Sequence, residues 1–258
     1  MNILEKIIAQ KAKEVASRKA EVTERELEKG RYYARQPLSL RKSLLDDRKT
    51  GIIAEYKRKS PSKGIINSRD SVEAVTKAYS AYGASGISIL TDQEFFGGSL
   101  DDLLSARDNG VPLLRKDFMI DEYQIIEAKA YGADVILLIA ACLSSLRVKA
   151  LAKKAKDLGL EVLLELHDEN ELDHICDAID MVGVNNRNLK TFEVDLEHSI
   201  RMSEKIGNDF IKVAESGIND VENIRYLKKH GFQGFLIGEY FMKQKSPMEA
   251  FKEFTYSL

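Results

Sequence analysis

The sequence predicts an α/β protein of the (β/α)8 TIM-barrel class, in which eight parallel strands close into one barrel after an N-terminal helical extension. Three observations carry this. Eight short runs rich in Val, Ile and Leu recur without strict apolar–polar alternation, as strands buried on both faces do. Helical patterns lie between the runs, and strand–helix alternation implies right-handed crossovers and a parallel sheet. The chain has 258 residues, and this barrel class typically has ~250. An open eight-stranded sheet is the competing arrangement. No G-x-G-x-x-G follows the first run, which weakens a dinucleotide-binding version of it.

The runs are IIAEYK (52–57), ISILT (87–91), PLLRKD (112–117), VILLIA (135–140), VLLEL (162–166), MVGVNN (181–186), IKVAES (211–216) and FLIGE (235–239). YGASGISIL (82–90) and YGADVILLI (131–139) both read helix end, glycine, buried strand, which is one βα unit used twice. Capping boxes are predicted at Asp70 with Glu73, Asp121 with Gln124, Asp168 with Glu171 and Asn219 with Glu222. Ser246, Pro247 and Glu249 start a last helix, with proline where its missing N–H does no harm. Gly83, Gly110, Gly132, Gly159, Gly207 and Gly231 fall where a helix should end in a left-handed residue.

Residues 1–48 are read as the extension and 49–258 as the barrel of a single domain. Leu4, Ile7, Ile8, Val15, Leu40, Leu44 and Leu45 mark apolar faces on charged helices. These faces either cap the barrel bottom or cover its mouth.

Composition narrows the function. With 39 Lys and Arg against 41 Asp and Glu, the net charge is −2, without the clustered cation excess of a nucleic-acid binder. Two cysteines, Cys142 and Cys176, suggest no disulfide framework, which fits a reducing cytosol. Charges interrupt the opening MNILEKIIAQKAKE where a signal peptide needs an apolar core, and the longest apolar run, Val135 to Leu143, is far short of a membrane span. A cytoplasmic protein without nucleic-acid or membrane partners is expected. His174 and Cys176 share no helical face, so no metal site is expected there.

Residues two apart on a strand share a face. Glu55 and Lys57 therefore point one way at the end of the first run. Lys116 ends the third, Glu165 the fifth, Asn185 the sixth with Arg187 just beyond, Glu215 and Ser216 the seventh, and Gly238 and Glu239 the eighth. Barrel interiors are normally layers of branched aliphatic side chains, and buried ions cost several kcal/mol each unless paired. Carboxylates and lysines recurring at strand ends read either as a self-satisfied network or as an acid–base site. Active sites of this fold occupy that face. Ser216-Gly217-Ile218 and Gly238-Glu239 follow the last two strands, where such barrels often hold phosphate on backbone N–H groups. Plain turn glycines are the alternative. Residues 60–64, SPSKG, read as a long loop at the same mouth, either a lid or a surface turn. His167 follows Glu165 on one face, but a lone histidine is more often structural.

At these residues the chain resembles the indole-3-glycerol phosphate synthase family. The resemblance lies in IIAEYKRKSPSKG (52–64), SILTDQEFFGGS (88–99), LLRKDFMIDEYQI (113–125), GADVILLIAA (132–141), LLELHDENEL (163–172), VGVNNRNLKTFEVD (182–195), VAESGI (213–218) and FLIGEYFM (235–242), in order over every barrel strand. It implies closure of the indole ring from 1-(2-carboxyphenylamino)-1-deoxyribulose 5-phosphate, with loss of CO2 and water and no cofactor. It implies Lys116 as general acid, able also to hold the substrate carboxylate, Glu165 as acid–base partner oriented by Asn185, Lys57 as a second cation that contacts the substrate and assists dehydration, and Glu55 as the group that either positions Lys57 or moves a proton. Glu215 and Ser216 would line the site. Gly217, Gly238 and the Glu239 N–H would form the phosphate cradle, and Ser60 and Arg187 would occupy lid and polar-network positions. Phe96, Phe118 and Leu137 would hold the anthranilate ring. A lowered pKa is expected for Lys116, among cations and apolar walls.

Two departures stand out. Some relatives carry serine where Glu239 stands, and Tyr240-Phe241 is bulkier than expected before Met242. The related phosphoribosylanthranilate isomerase family uses a cysteine base at the end of strand one, where this chain has Glu55-Tyr56-Lys57. A catalytically silent phosphate-binding barrel is the non-enzymatic alternative, and Lys116 together with Glu165 argues against it. Other enzymes of the tryptophan pathway are the partners the resemblance suggests.

Overall fold

The computed structural model describes residues 2–187 and 194–258. Eight parallel strands close into a barrel in sequence order: β1 (Ile52–Tyr56), β4 (Gly86–Leu90), β5 (Leu113–Lys116), β6 (Val135–Ile139), β7 (Glu161–Leu166), β8 (Met181–Asn185), β9 (Ile211–Glu215) and β10 (Gly234–Ile237). The closing pair is β1 with β10, in the register Ile52↔Phe235. Each strand falls within a residue or two of its predicted run. The predicted loop at 60–64 instead contains a hairpin, β2 (Lys59–Ser60) against β3 (Gly64–Ile65). Gly64 takes φ +66°, the left-handed conformation that a tight reversal requires.

Alternation along the strands divides the core. Ile53, Leu114, Val135, Leu137, Leu163, Met181, Val213 and Leu236 fill the barrel interior. Ile52, Ala54, Ile87, Leu113, Ile136, Val162 and Val182 pack against the surrounding helices. Those helices include α4 (Val72–Ala81), α7 (Glu122–Ala130), α8 (Ser145–Asp157), α9 (Leu196–Lys205), α10 (Val221–Lys229) and α12 (Pro247–Tyr256).

The extension closes the barrel bottom and also touches its upper rim. In α3 (Leu40–Leu44), Leu40 and Leu44 join the interior cluster, and Ser43 Oγ donates to the carbonyl of Ser85, at the N-terminal end of β4. This helix closes the bottom, while Leu45 stays 55% exposed. Beside it, Asp134 accepts from Arg35, Arg107 and the Leu38 and Leu113 N–H groups. In contrast, α1 (Ile3–Glu21) reaches the upper rim, where Lys11 meets Asp92 and Asp117 just beyond the ends of β4 and β5.

The caps correct several expectations. Asp121 with Gln124 forms the predicted box and Ser246 caps α12 ahead of Pro247. At α4 the cap is Ser71, and Asp70 instead accepts from the Asn67 amide. At α10 it is Asp220 in place of Asn219. Where two capping residues are adjacent, composition does not choose between them. Asp168 caps a 3-10 helix (Glu169–His174), and Glu171 accepts from the His167 N–H. Gly207 is not left-handed, unlike the other five predicted stop glycines.

Candidate active site

The two-residue period that sends Ile53, Leu114, Leu163, Met181 and Val213 inward also sends Glu55, Lys116, Glu165, Asn185 and Glu215 inward. These are the uppermost inward-facing positions of their strands, so the polar side chains collect above an aliphatic floor.

Lys116 stands between two carboxylates. Its Nζ donates to Glu165 Oε2 at 3.1 Å and to Glu215 Oε2 at 2.7 Å. Glu165 Oε1 accepts from Asn185 Nδ2 at 2.9 Å and lies 2.9 Å from His167 Nε2. The expected lowering of the Lys116 pKa is wrong in sign. Burial pulls it down, but Glu165, Glu215 and Glu55 outweigh burial and hold the ammonium above its usual range. The two carboxyls separate. Burial raises both, yet Lys116 and His167 bring Glu165 well below the carboxylate range. Glu215 is only 1% exposed; there, burial prevails over Lys116, and the repulsion of Glu165 helps push it up to about 7. His167 is raised, with its burial opposed by Glu165.

Glycines make this crowding possible. A Cβ on Gly183, which faces inward on β8, would lie 2.2 Å from Glu215 Oε1. Gly238 plays the same part for Glu55, whose own Cβ would be 2.8 Å from an added one. Glu55 Oε1 in turn lies 2.8 Å from Lys57 Nζ, and Ser88 Oγ donates weakly to its other oxygen.

A cavity of about 310 Å3 opens beside these groups, lined among others by Glu55, Lys57, Arg187, Ser216, Gly217, Gly238, Glu239 and Lys243. Ser216 and Gly217 both hold positive φ, 68° and 72°. The Asn186 amide fixes this turn by donating to the Ser216 carbonyl at 2.7 Å. Glu239 opens α11 (Glu239–Met242), and its carboxylate accepts from Arg187 at 3.1 Å. Burial would raise the Glu239 pKa, but Arg187, Lys57 and Lys63 lower it.

Phe96, Phe118 and Leu137 are not among the residues that line this cavity. The Phe96 and Phe118 rings stand 6.1 Å apart, and Phe118 packs on the interior cluster that contains Leu137. Ser60 lies out on the hairpin and is not among the cavity-lining residues. Within the segment 182–195, residues 188–193 lie outside the described ones. Sequence reasoning placed His167 on the face of Glu165 but favoured a structural role for it, and it missed Asn186, Lys243, Gly183 and Lys11. A signal existed for Lys11: Ile7, Lys11 and Val15 share one helical stripe, and all three are buried.

Comparison with known proteins identifies the family. The family model described as indole-3-glycerol phosphate synthase matches residues 4–254. An indole-3-glycerol phosphate synthase from Bacteroides thetaiotaomicron is 48% identical over 258 residues, 100% of this chain and 99% of that protein. Another from Koribacter versatilis is 43% identical, covering 97% of each. Among solved structures, a mutant tryptophan synthase alpha-subunit from Pyrococcus furiosus superposes with a TM-score of 0.60 at 16% identity, over 81% of this chain and 99% of that one. That likeness concerns the barrel alone. By its family match and by full-length relatives, the chain belongs to the indole-3-glycerol phosphate synthase family.

Proposed function

We propose that this site closes the indole ring of 1-(2-carboxyphenylamino)-1-deoxyribulose 5-phosphate, with Lys116 as general acid, releasing CO2 and water to leave indole-3-glycerol phosphate. The observation that carries the assignment of roles is the Lys116 ammonium held between Glu165 and Glu215 at the barrel mouth.

The ring carbon bearing the carboxylate attacks the ketone carbon, and Lys116 protonates the oxygen as it becomes an alkoxide. The raised pKa makes the ammonium a weaker acid than an ordinary lysine, but the alkoxide is a stronger base still, so the transfer runs downhill. Loss of CO2 restores the ring electrons. Departure of the hydroxyl needs a proton donor, supplied by Lys57 with Glu55 behind it, and Glu165 takes the remaining ring proton with Asn185 orienting it. Positioned acids and bases of this kind contribute ~10²–10⁴-fold each. The phosphate would rest on the N–H groups of Gly217, Gly238 and Glu239, near Lys57 and Lys243. Arg187 neutralises the Glu239 carboxylate, which would otherwise repel that anion. Glu215 and Ser216 line the centre, Phe96, Phe118 and Leu137 hold the anthranilate ring, and Ser60 rides on the hairpin over the mouth.

The same reading takes residues 1–258 as one domain working in the cytoplasm, with other tryptophan-pathway enzymes as candidate partners. Among the described residues, no helix is long and apolar enough to cross a membrane.

The test is direct. The substrate is supplied to the purified chain and indole absorbance and fluorescence are followed. Indole formation at enzymatic rates is expected. Intact substrate over folded protein would overturn the assignment.

A further inference from the structure

We propose that Lys11, on the N-terminal extension, is a positioning residue for the anthranilate end of the site, acting as a cationic pin between the carboxylates that fix Phe96 and Phe118. This rests on the functional reading above.

Lys11 Nζ lies 2.8 Å from Asp92 Oδ2, 2.9 Å from Asp117 Oδ1 and 2.7 Å from Glu14 Oε2, and the residue is 0% exposed. Burial alone would lower its pKa, but Asp117 and Asp92 prevail and push it up to about 12. Both carboxylates have a second task. Asp92 Oδ1 accepts the Phe95 and Phe96 N–H groups at 2.7 and 3.3 Å, capping the single turn α5 (Gln93–Phe96). Asp117 Oδ1 accepts the Phe118 N–H at 2.8 Å, immediately after Lys116. Asp117 Oδ2 is held by Thr91 and Arg115, and Arg115 is in turn paired with Glu127. Asp92 has no other cation among its described ion pairs. Without Lys11 its buried charge is left uncompensated, and it sits where two strand ends must keep a fixed separation. One turn of helix has little stability of its own, so its place depends on that cap and pin. The spacing between the Phe96 and Phe118 rings would then depend on an ammonium from outside the barrel.

The pin predicts a split in kinetics. Lys11→Met removes the charge at nearly constant volume. We expect KM for the carboxyphenylamino substrate to rise ~10-fold with a smaller fall in kcat, since ångström-scale misplacement of a binding wall is costly. Competitive inhibition by inorganic phosphate, which reports the opposite side of the site, should stay unchanged, while inhibition by anthranilate weakens. Thermal unfolding establishes that the variant is folded at the assay temperature. If it is not, Asp92→Asn carries the test, because it keeps a cap oxygen and loses the charge held by Lys11; a ~3-fold rise in KM is expected there. A folded variant with KM within ~2-fold of the parent and both inhibition constants unmoved overturns the proposal, even if its melting temperature falls. Turnover by the parent chain itself tests the functional reading, so failure of one is not mistaken for failure of the other.

Discussion

Lys116 on β5 donates to Glu215 on β9 across 2.7 Å of barrel interior. The two strands are not neighbours in the barrel, so this contact spans the mouth and no backbone ladder supports it.

Replacing Lys116 with Met should therefore do more than remove an acid. Glu165 and Glu215 would remain buried without their shared cation. We expect kcat to fall by ~10²-fold or more, measured as indole fluorescence, with the far-ultraviolet spectrum retained. Turnover near that of the parent chain would take Lys116 out of the general-acid role.

Glu215 gives a pH signature. Its folded pKa, about 7, lies above the usual carboxylate value of 4.5. A raised folded pKa contributes stability that is complete below the unfolded value and is lost as pH rises through the folded one. Between about pH 4.5 and 7, the parent chain should lose melting temperature relative to Glu215→Gln, which does not titrate. Parallel profiles of melting temperature against pH for the two proteins would show that Glu215 is ionised throughout.

Gly183→Ala tests the space left for that carboxylate. Its Cβ would fall 2.2 Å from Glu215 Oε1, so Glu215 must turn away from Lys116. Overpacking of this kind costs ~1–3 kcal/mol. The kinetic loss should exceed ~10-fold in kcat. An unchanged kcat would mean that the Lys116–Glu215 contact is dispensable.

The barrel bottom offers the opposite result. Asp134→Ala strips partners from Arg107 and from two backbone N–H groups. Breaking a buried charge pair costs ~3–5 kcal/mol. We expect a large fall in melting temperature and an unaltered kcat in the protein that remains folded. A loss of kcat without loss of stability would contradict the division between bottom and mouth.

Much of this was legible in the sequence because parallel strands buried on both faces leave a strong apolar record. Once strand ends are known, a period of two decides which polar residues converge, and Glu55, Lys116, Glu165, Asn185 and Glu215 do converge. Charge states were less legible. The raised pKa of Lys116 depends on Glu165, Glu215 and Glu55 together outweighing its burial, which is a matter of barrel geometry and not of strand pattern. Cap choice between Asp70 and Ser71 turned on one residue of backbone geometry. Lys11 looked like one more lysine on a charged helix, because periodicity shows which stripe is buried and not what it meets.

The β1–β10 register has a consequence for synthesis. Ile52 pairs with Phe235, so one edge of the first barrel strand has no partner until β10 has been synthesised. The extension emerges first, yet Asp92, Asp117 and Asp134 all follow it in sequence. What is made earlier must wait for what is made later. During that interval, the apolar sides of Leu40 and Leu44 and the open edge of β1 are the surfaces most exposed to wrong partners.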